Sequence, residues 1–134
     1  MKADLIALIR GLPQVAALAG DRVHWGSQPV DATKMPHVAL TMVSAPHGYS
    51  LDGDTGLHDD IVQADLWAET AAEAEALRVA LVAGLSGWSG TLGGTHFRSL
   101  RILGGRSLDG RGSGTQKIIH GNSVDLRVRW RAAP

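Results

Sequence analysis

The hydrophobic pattern of the chain is clearest between residues 59 and 85, where its period changes once. From residue 59 to residue 69 the positions alternate, which predicts a β-strand. The residues of one parity are all apolar: Val62, Ala64, Leu66 and Ala68. The residues of the other parity are mixed: Ile61, Gln63, Asp65 and Trp67. We therefore expect one face of the strand to be buried in a core. The opposite face combines apolar and polar side chains, which a face exposed only to solvent would not need.

A helix is predicted to follow this strand directly. Thr70 and Glu73 fit a capping box, in which the threonine hydroxyl accepts the Glu73 backbone N–H and the glutamate carboxylate reaches back. Apolar residues at helical spacing come next: Ala74, Leu77, Leu81 and Leu85. Gly87 is suited to end the helix. The helix should cover the apolar strand face, with Leu66 and Leu77 buried between the two elements.

The rest of the pattern predicts two short helices at the start and four further strands. The helices are expected over residues 4–12 and 13–18, and the strands over residues 21–25, 37–45, 96–103 and 118–130. The order α-β-β-β-α-β-β predicts an α+β fold, in which an antiparallel or mixed β-sheet carries its helices on one face. A chain of 134 residues is expected to form a single domain over 1–134.

A hairpin turn is predicted at Asp52-Gly53, because this dipeptide is typical of tight β-turns. The strand over residues 37–45 would then pair antiparallel with the strand that begins at residue 59. A three-residue loop aligns Leu40 with Leu66 and is preferred. A two-residue loop would place the side chains on the opposite faces, so the register stays open. Three apolar side chains near the turn should lie beyond the helix-covered sheet, where they either fold back or meet a partner: Tyr49, Leu51 and Leu57.

Residues 104–115 contain five glycines and carry Arg106 and Arg111, with Lys117 just beyond. Glycine supplies little side-chain surface for packing, so we expect a mobile loop that can be removed without unfolding the protein. Such a loop would tolerate a passing phosphate backbone. It could equally be a flexible connection that has no partner.

Composition excludes several classes of protein. The chain has no cysteine, which excludes disulfides, thiolate metal sites and cysteine nucleophiles. Thirteen basic and thirteen acidic residues give zero net charge, unlike a protein that grips nucleic acid. No apolar run approaches the roughly 20 residues that a membrane span needs, and no signal peptide is expected at the start.

Candidate chemistry is sparse. The six histidines do not follow a metal-binding spacing, and His58-Asp59-Asp60 is the only cluster. Neither a Gly-x-Ser-x-Gly elbow nor a Gly-x-x-x-x-Gly-Lys phosphate loop is present. On the last predicted strand, three arginines share a face with one aspartate, which is typical of a solvated face or of a surface for an acidic partner: Arg127, Arg129, Arg131 and Asp125.

Several short motifs, in one order over nearly the whole chain, resemble the tail-completion or tail-terminator family of long-tailed phages and gene transfer agents. The stretch from residue 104 matches little. The matching stretches are Leu18-Ala19-Gly20-Asp21-Arg22-Val23, Met35-Pro36-His37-Val38, Tyr49-Ser50-Leu51-Asp52-Gly53, Gln63-Ala64-Asp65-Leu66-Trp67 with Glu73-Ala74-Glu75-Ala76-Leu77, and Val124-Asp125-Leu126-Arg127-Val128.

The resemblance implies a structural protein of a phage or phage-like particle, without catalysis, metal or cofactor. Its subunits would form a homo-oligomeric, hexameric ring that caps the tail tube and joins it to the head-side connector protein, while DNA passes through the lumen without specific binding and no membrane is involved. The candidate interface residues are Tyr49, Leu51, Leu57, Trp67, Arg127 and Arg129. The candidate lumen-facing residues are Arg106, Arg111 and Lys117.

Two other functions stay open at this point. The chain could be a different head–tail connector or minor tail component of the same particle. It could also be a small α+β hydrolase or ligand-binding domain that uses the stretch from His58 to Asp60.

Overall fold

The computed structural model describes residues 1–26, 35–111 and 118–134. The helices are α1 (Lys2–Arg10), α2 (Pro13–Ala19) and α3 (Ala71–Leu85). The strands are β1 (Val23–Trp25), β2 (His37–Ser44), β3 (His47–Ser50), β4 (Gly53–Ala68), β5 (Gly90–Leu92), β6 (Thr95–Arg111) and β7 (Ile118–Ala132). In this part of the chain, none of the helices combines the length and apolar character needed to span a membrane.

The strands form one sheet in the order β1-β2-β4-β7-β6-β5, and β3 pairs with the first part of β4. The pair β1–β2 is parallel and the other pairs are antiparallel. The predicted α+β fold with a mixed sheet and helices on one face is therefore confirmed. The short strands β3 and β5 were not predicted as strands.

The predicted strand–helix unit forms the centre of the core. The Thr70 hydroxyl accepts the Glu73 backbone N–H at 3.1 Å, which is the first of the two hydrogen bonds of the predicted capping box. Leu66 on β4 and Leu77 on α3 are both fully buried in the same apolar cluster. The apolar parity of β4 and the helical apolar positions are buried as predicted, at Val62, Ala64, Ala68, Ala74, Leu81 and Leu85. We call this side of the sheet the helix-covered face and the opposite side the open face.

The preferred hairpin register is wrong by two residues, although its face assignment is right. Val38 rather than Leu40 lies opposite Leu66. The turn is a two-residue loop closed by the pair Ser50–Gly53, which alone would have reversed the faces. Irregularities between residues 42 and 44 and between residues 47 and 49 shift the register again and restore the predicted faces.

The expectation of a mobile loop over residues 104–115 is wrong for residues 104–111, which belong to β6. They pair with β7 from Gly104–Asp125 to Arg111–Ile118, so their removal would cut into the sheet. Glycine serves close strand approach here: a Cβ atom added at Gly105 would lie 2.5 Å from the Ser123 carbonyl oxygen. The rest of the expected loop, and Lys117, lie outside the described residues.

Candidate functional site

A hairpin formed by residues 47–57 projects from the sheet. Strand β7 pairs with β4 only from His58 onward, so the first five residues of β4 pair with β3 alone within the described part of the chain. Tyr49 is 72% exposed, and Leu51 at the tip is fully exposed. The Tyr49 ring stacks on the His47 ring with their centroids 6.5 Å apart, but both large apolar side chains stay mostly in solvent. We call residues 47–57 the projecting hairpin.

Side-chain hydrogen bonds hold the projecting hairpin in one shape. The Asp54 carboxylate accepts the backbone N–H of Gly56 at 2.8 Å and lies 3.1 Å from the imidazole Nδ1 of His47. These two contacts, the backbone N–H first, lower the pKa of Asp54. Across the strands, the Thr55 hydroxyl donates to the carbonyl of Gly48 at 2.9 Å. The hairpin is therefore shaped by its own polar groups without burying apolar side chains.

A row of stacked rings fixes the base of the projecting hairpin to the sheet. His47 meets His58 edge to face at 4.6 Å, and His58 stacks on Trp130 of β7 at 4.0 Å between ring centroids. The indole N–H of Trp130 donates to the buried carboxylate of Asp60 at 2.8 Å. Because each ring packs against the next, the direction of the hairpin is set by the sheet.

The open face carries charged side chains beside the hairpin base. Arg127 of β7 forms a two-point ion pair with Asp59 of β4, in which Nε donates at 2.8 Å. Arg129 contributes a longer contact of 3.6 Å to the same carboxylate. Hydrogen bonding to Arg127 lowers the pKa of Asp59 and raises the pKa of Arg127. The predicted arginine face is thus partly neutralised within the subunit.

A cavity of about 490 Å³ lies where the open face meets the projecting hairpin. Its walls come from the hairpin base and from strands β6 and β7. The lining residues are Pro46, His47, Gly48, Leu57, His58, Asp59, Arg98, Ser99 and Arg129. Two guanidinium groups, two imidazoles, a leucine side chain and the Asp59 carboxylate, which Arg129 contacts, therefore surround a space that can hold a few side chains.

The structure brings only part of the predicted interface set together. Leu57 and Arg129 line the cavity. Arg127 is adjacent to the cavity, because it binds the lining residue Asp59. Tyr49 and Leu51 lie at the hairpin tip. Trp67 is separate from these residues, at the other end of β4. Its indole ring packs on Gly121, since a Cβ atom added to Gly121 would lie 2.7 Å from the ring.

The predicted lumen-facing set is placed only in part. Arg106 is exposed on β6, and Arg111 ends that strand. In the described residues, histidine and acidic side chains do not converge into a metal-binding group of three or more.

Sequence reasoning missed the contacts that depend on pairing across strands, including those of His58, which it had named only as part of the cluster His58-Asp59-Asp60. His47 and Asp54, His58 and Trp130, and the exposed Arg98 meet only because of the register of β3, β4, β6 and β7. Because His58 and Trp130 are far apart along the chain, no local sequence pattern indicates that their rings stack.

Comparison with known proteins identifies the family. The profile of a family described as "Tail completion protein gp17" matches residues 3–132. The chain belongs to this family. As a tail completion protein, it is a structural protein of the phage tail. A search of curated protein sequences finds no match to this tail completion protein.

The fold is shared with a solved structure described as the virion of a native gene transfer agent particle. The superposition has a TM-score of 0.65 with 21% sequence identity, and it covers 98% of this tail completion protein and 93% of the matched chain. At this identity the likeness concerns the fold of the subunit.

Proposed function

We propose that this protein is a tail terminator: its copies form a ring that caps the tail tube and joins the tube to the head-side connector. The family assignment and the shared fold with a chain of a gene transfer agent virion support this function. The observation that carries it is the projecting hairpin, which is held in shape by its own hydrogen bonds and presents exposed Tyr49 and Leu51 at its tip. The site of action would be the head–tail junction of a phage or phage-like particle.

The hairpin suits a ring because its tip and the open face are different surfaces of one subunit. A closed ring needs a heterologous interface, in which one patch of each copy meets a different patch of the next. An isolated subunit gains nothing from exposing a tyrosine and a leucine at a rigid tip. Contact with a neighbouring copy or with the tail-tube protein would remove both side chains from water.

The same proposal gives the protein a passive role toward DNA and no catalytic role. DNA would pass through the lumen of the ring, with Arg106, Arg111 and Lys117 as the candidate residues facing it. A zero net charge suits a passage that DNA must traverse without being held. Catalysis and a cofactor are not required for any step of this assembly.

Electron microscopy and mass measurement of the purified protein test the proposal. We expect rings, hexameric by the family resemblance, when the tail-tube protein or the connector protein is added. A subunit that stays monomeric at high concentration with both partners present would contradict ring formation. Binding to the connector protein without any binding to tail tubes would instead identify another component of the head–tail junction.

A further inference from the structure

The zero net charge conceals a division along the chain. Residues 1–94 contain five Lys or Arg and eleven Asp or Glu, whereas residues 95–134 contain eight Lys or Arg and two Asp. The first part therefore carries a net charge of −6 and the second part +6. The second part supplies β6 and β7, and the first part supplies the projecting hairpin. The two parts of the chain thus carry opposite net charge on different elements.

The positive surface is concentrated beside the cavity at the hairpin base. Arg101 and Arg127 lie directly opposite each other on β6 and β7, a like-charge pair that is unfavourable without a counterion. Asp59 neutralises Arg127, but Arg98 and Arg101 are exposed and form no ion pair with other described residues. The cavity is therefore bordered by positive charge that the subunit does not balance, and an anionic group would fit there.

The hairpin tip offers such a group together with apolar surface. Asp52 is exposed, and its carboxylate makes no ion pair within the described residues, whereas Asp54 is held by His47 and Gly56. The tip therefore presents one free carboxylate beside two exposed apolar side chains, Tyr49 and Leu51.

We infer that the hairpin tip of one copy docks in the cavity at the hairpin base of a second copy. The Asp52 carboxylate of the tip pairs with Arg98 and Arg129, and Tyr49 and Leu51 pack beside it. Arginine suits this contact because its planar guanidinium binds carboxylates and also stacks on aromatic rings. The inference rests on the proposed ring and names the two surfaces that meet in it.

The contact must be between copies rather than within one. The ring contacts of His47, His58 and Trp130 fix the hairpin base, which forms one wall of the cavity. Tyr49 and Leu51 stay exposed, and neither they nor Asp52 lines the cavity of their own copy. Each copy then offers one tip and one cavity. Contacts of this head-to-tail kind continue from copy to copy until a ring closes.

Charge reversal with complementation tests this pairing. In Asp52→Arg the tip becomes positive, and in Arg98→Glu the cavity becomes acidic. We expect each variant alone to associate at least about tenfold more weakly than the wild type. An equimolar mixture should recover the wild-type mass. In alternating copies, the positive tip of the first variant meets the acidic cavity of the second, and the next contact pairs native Asp52 with native Arg98.

The readout is the mass of the assembly by sedimentation, with tail-tube protein and connector protein present. The exposed Asp21 supplies a matched control, since Asp21→Arg makes the same change of charge away from both surfaces. An unchanged thermal midpoint shows that each variant is folded. If Arg98→Glu does not fold, Arg98→Ser replaces it in the test of weakened association.

The outcomes separate this inference from the proposed function. If both single variants assemble like the wild type, or if their mixture fails to assemble, the tip–cavity contact is wrong while the ring stands. If Arg98→Glu assembles normally but loses binding to a short DNA duplex, the cavity serves a phosphate backbone and the inference is also wrong. A wild-type protein that forms no ring would overturn both.

Discussion

The helix-covered face and the projecting hairpin are built on the same strand, β4, but differ in how they are held. Along the helix-covered face, Leu66 and its neighbours are fully buried against α3. Along the projecting hairpin, carboxylate, hydroxyl and imidazole groups fix the shape, while Tyr49 and Leu51 stay in solvent. The comparison separates two roles: the first region stabilises the fold, and in the proposed ring the second region meets a partner.

The largest effect on stability is expected in the helix-covered face. Leu77→Ala should lower the free energy of unfolding by ~2–5 kcal/mol, because it removes a fully buried side chain and leaves a cavity. Chemical denaturation of the isolated subunit measures this loss. Val79→Ala on the same helix is the matched control, since Val79 is 51% exposed and its truncation should cost less than about 0.5 kcal/mol. A loss below ~1 kcal/mol for Leu77→Ala would mean that α3 does not stabilise the core.

Low pH should lower the free energy of unfolding because of a buried histidine on β2. Burial, with smaller contributions from His24 and Arg22, lowers the pKa of His37 from 6.5 to about 4. Above pH 6.5 the group is neutral in both states, so it makes no difference there. As the pH falls from 6.5 toward 4, the unfolded chain binds a proton that the folded chain does not, and stability is lost.

The acid loss from His37 approaches about 3 kcal/mol near pH 4, at 1.36 kcal/mol for each unit of pKa difference. His37→Gln should reduce the slope of stability against pH in this interval, as measured by denaturation at several pH values. The residual slope would include His24, whose pKa burial also lowers. An identical slope in the variant would show that His37 is accessible to protons in the folded state.

A smaller effect is expected where the open face adjoins the hairpin. Asp59→Asn removes the ion pair with Arg127. The Asp59 side chain is 36% exposed and the Arg127 side chain 34%, so solvent screening limits the loss of unfolding free energy to roughly 1 kcal/mol or less. The change is read from the denaturant midpoint at pH 7, with Glu75→Gln as a control that removes the exposed pair with Arg78. A loss of several kcal/mol would place this pair among the main stabilising contacts of the sheet, and would contradict the view that burial on the helix-covered face supplies most of the stability.

The parts of the fold that sequence could predict are those with a local signal. The period of residues 59–85 gave the strand, the cap at Thr70 and the buried face with Leu66 and Leu77. The strand over residues 104–111 was missed because its glycines match a loop composition. In the structure, they allow close approach to β7.

The candidate site was predictable at its tip and in two of the residues that line the cavity, Leu57 and Arg129. Tyr49 and Leu51 follow from their position next to a turn signal, and their exposure is confirmed. The cavity could not be predicted, because Arg98 and Leu57 reach it from strands that are distant in sequence. Their meeting depends on strand order and on register irregularities that carry no composition signal.

The hairpin tip should have the smallest effect on stability and the largest on assembly. Tyr49→Ser together with Leu51→Ser removes apolar groups that are exposed in the subunit, so the thermal midpoint should change little. Assembly should nevertheless be lost, because aromatic and aliphatic anchors dominate the energy of protein interfaces. Val79→Ser, at a half-exposed apolar site on α3, is the control that should leave both stability and assembly nearly unchanged.

The most direct measurement is the mass of the Y49S/L51S variant in the presence of tail-tube protein, set beside its thermal midpoint as an isolated subunit. We predict a folded subunit with a midpoint close to the wild type that forms no ring and caps no tube. Rings of normal mass from this variant would remove the projecting hairpin from the interface. A large drop in the midpoint would show that the hairpin stabilises its own subunit, and would contradict the division between the two regions.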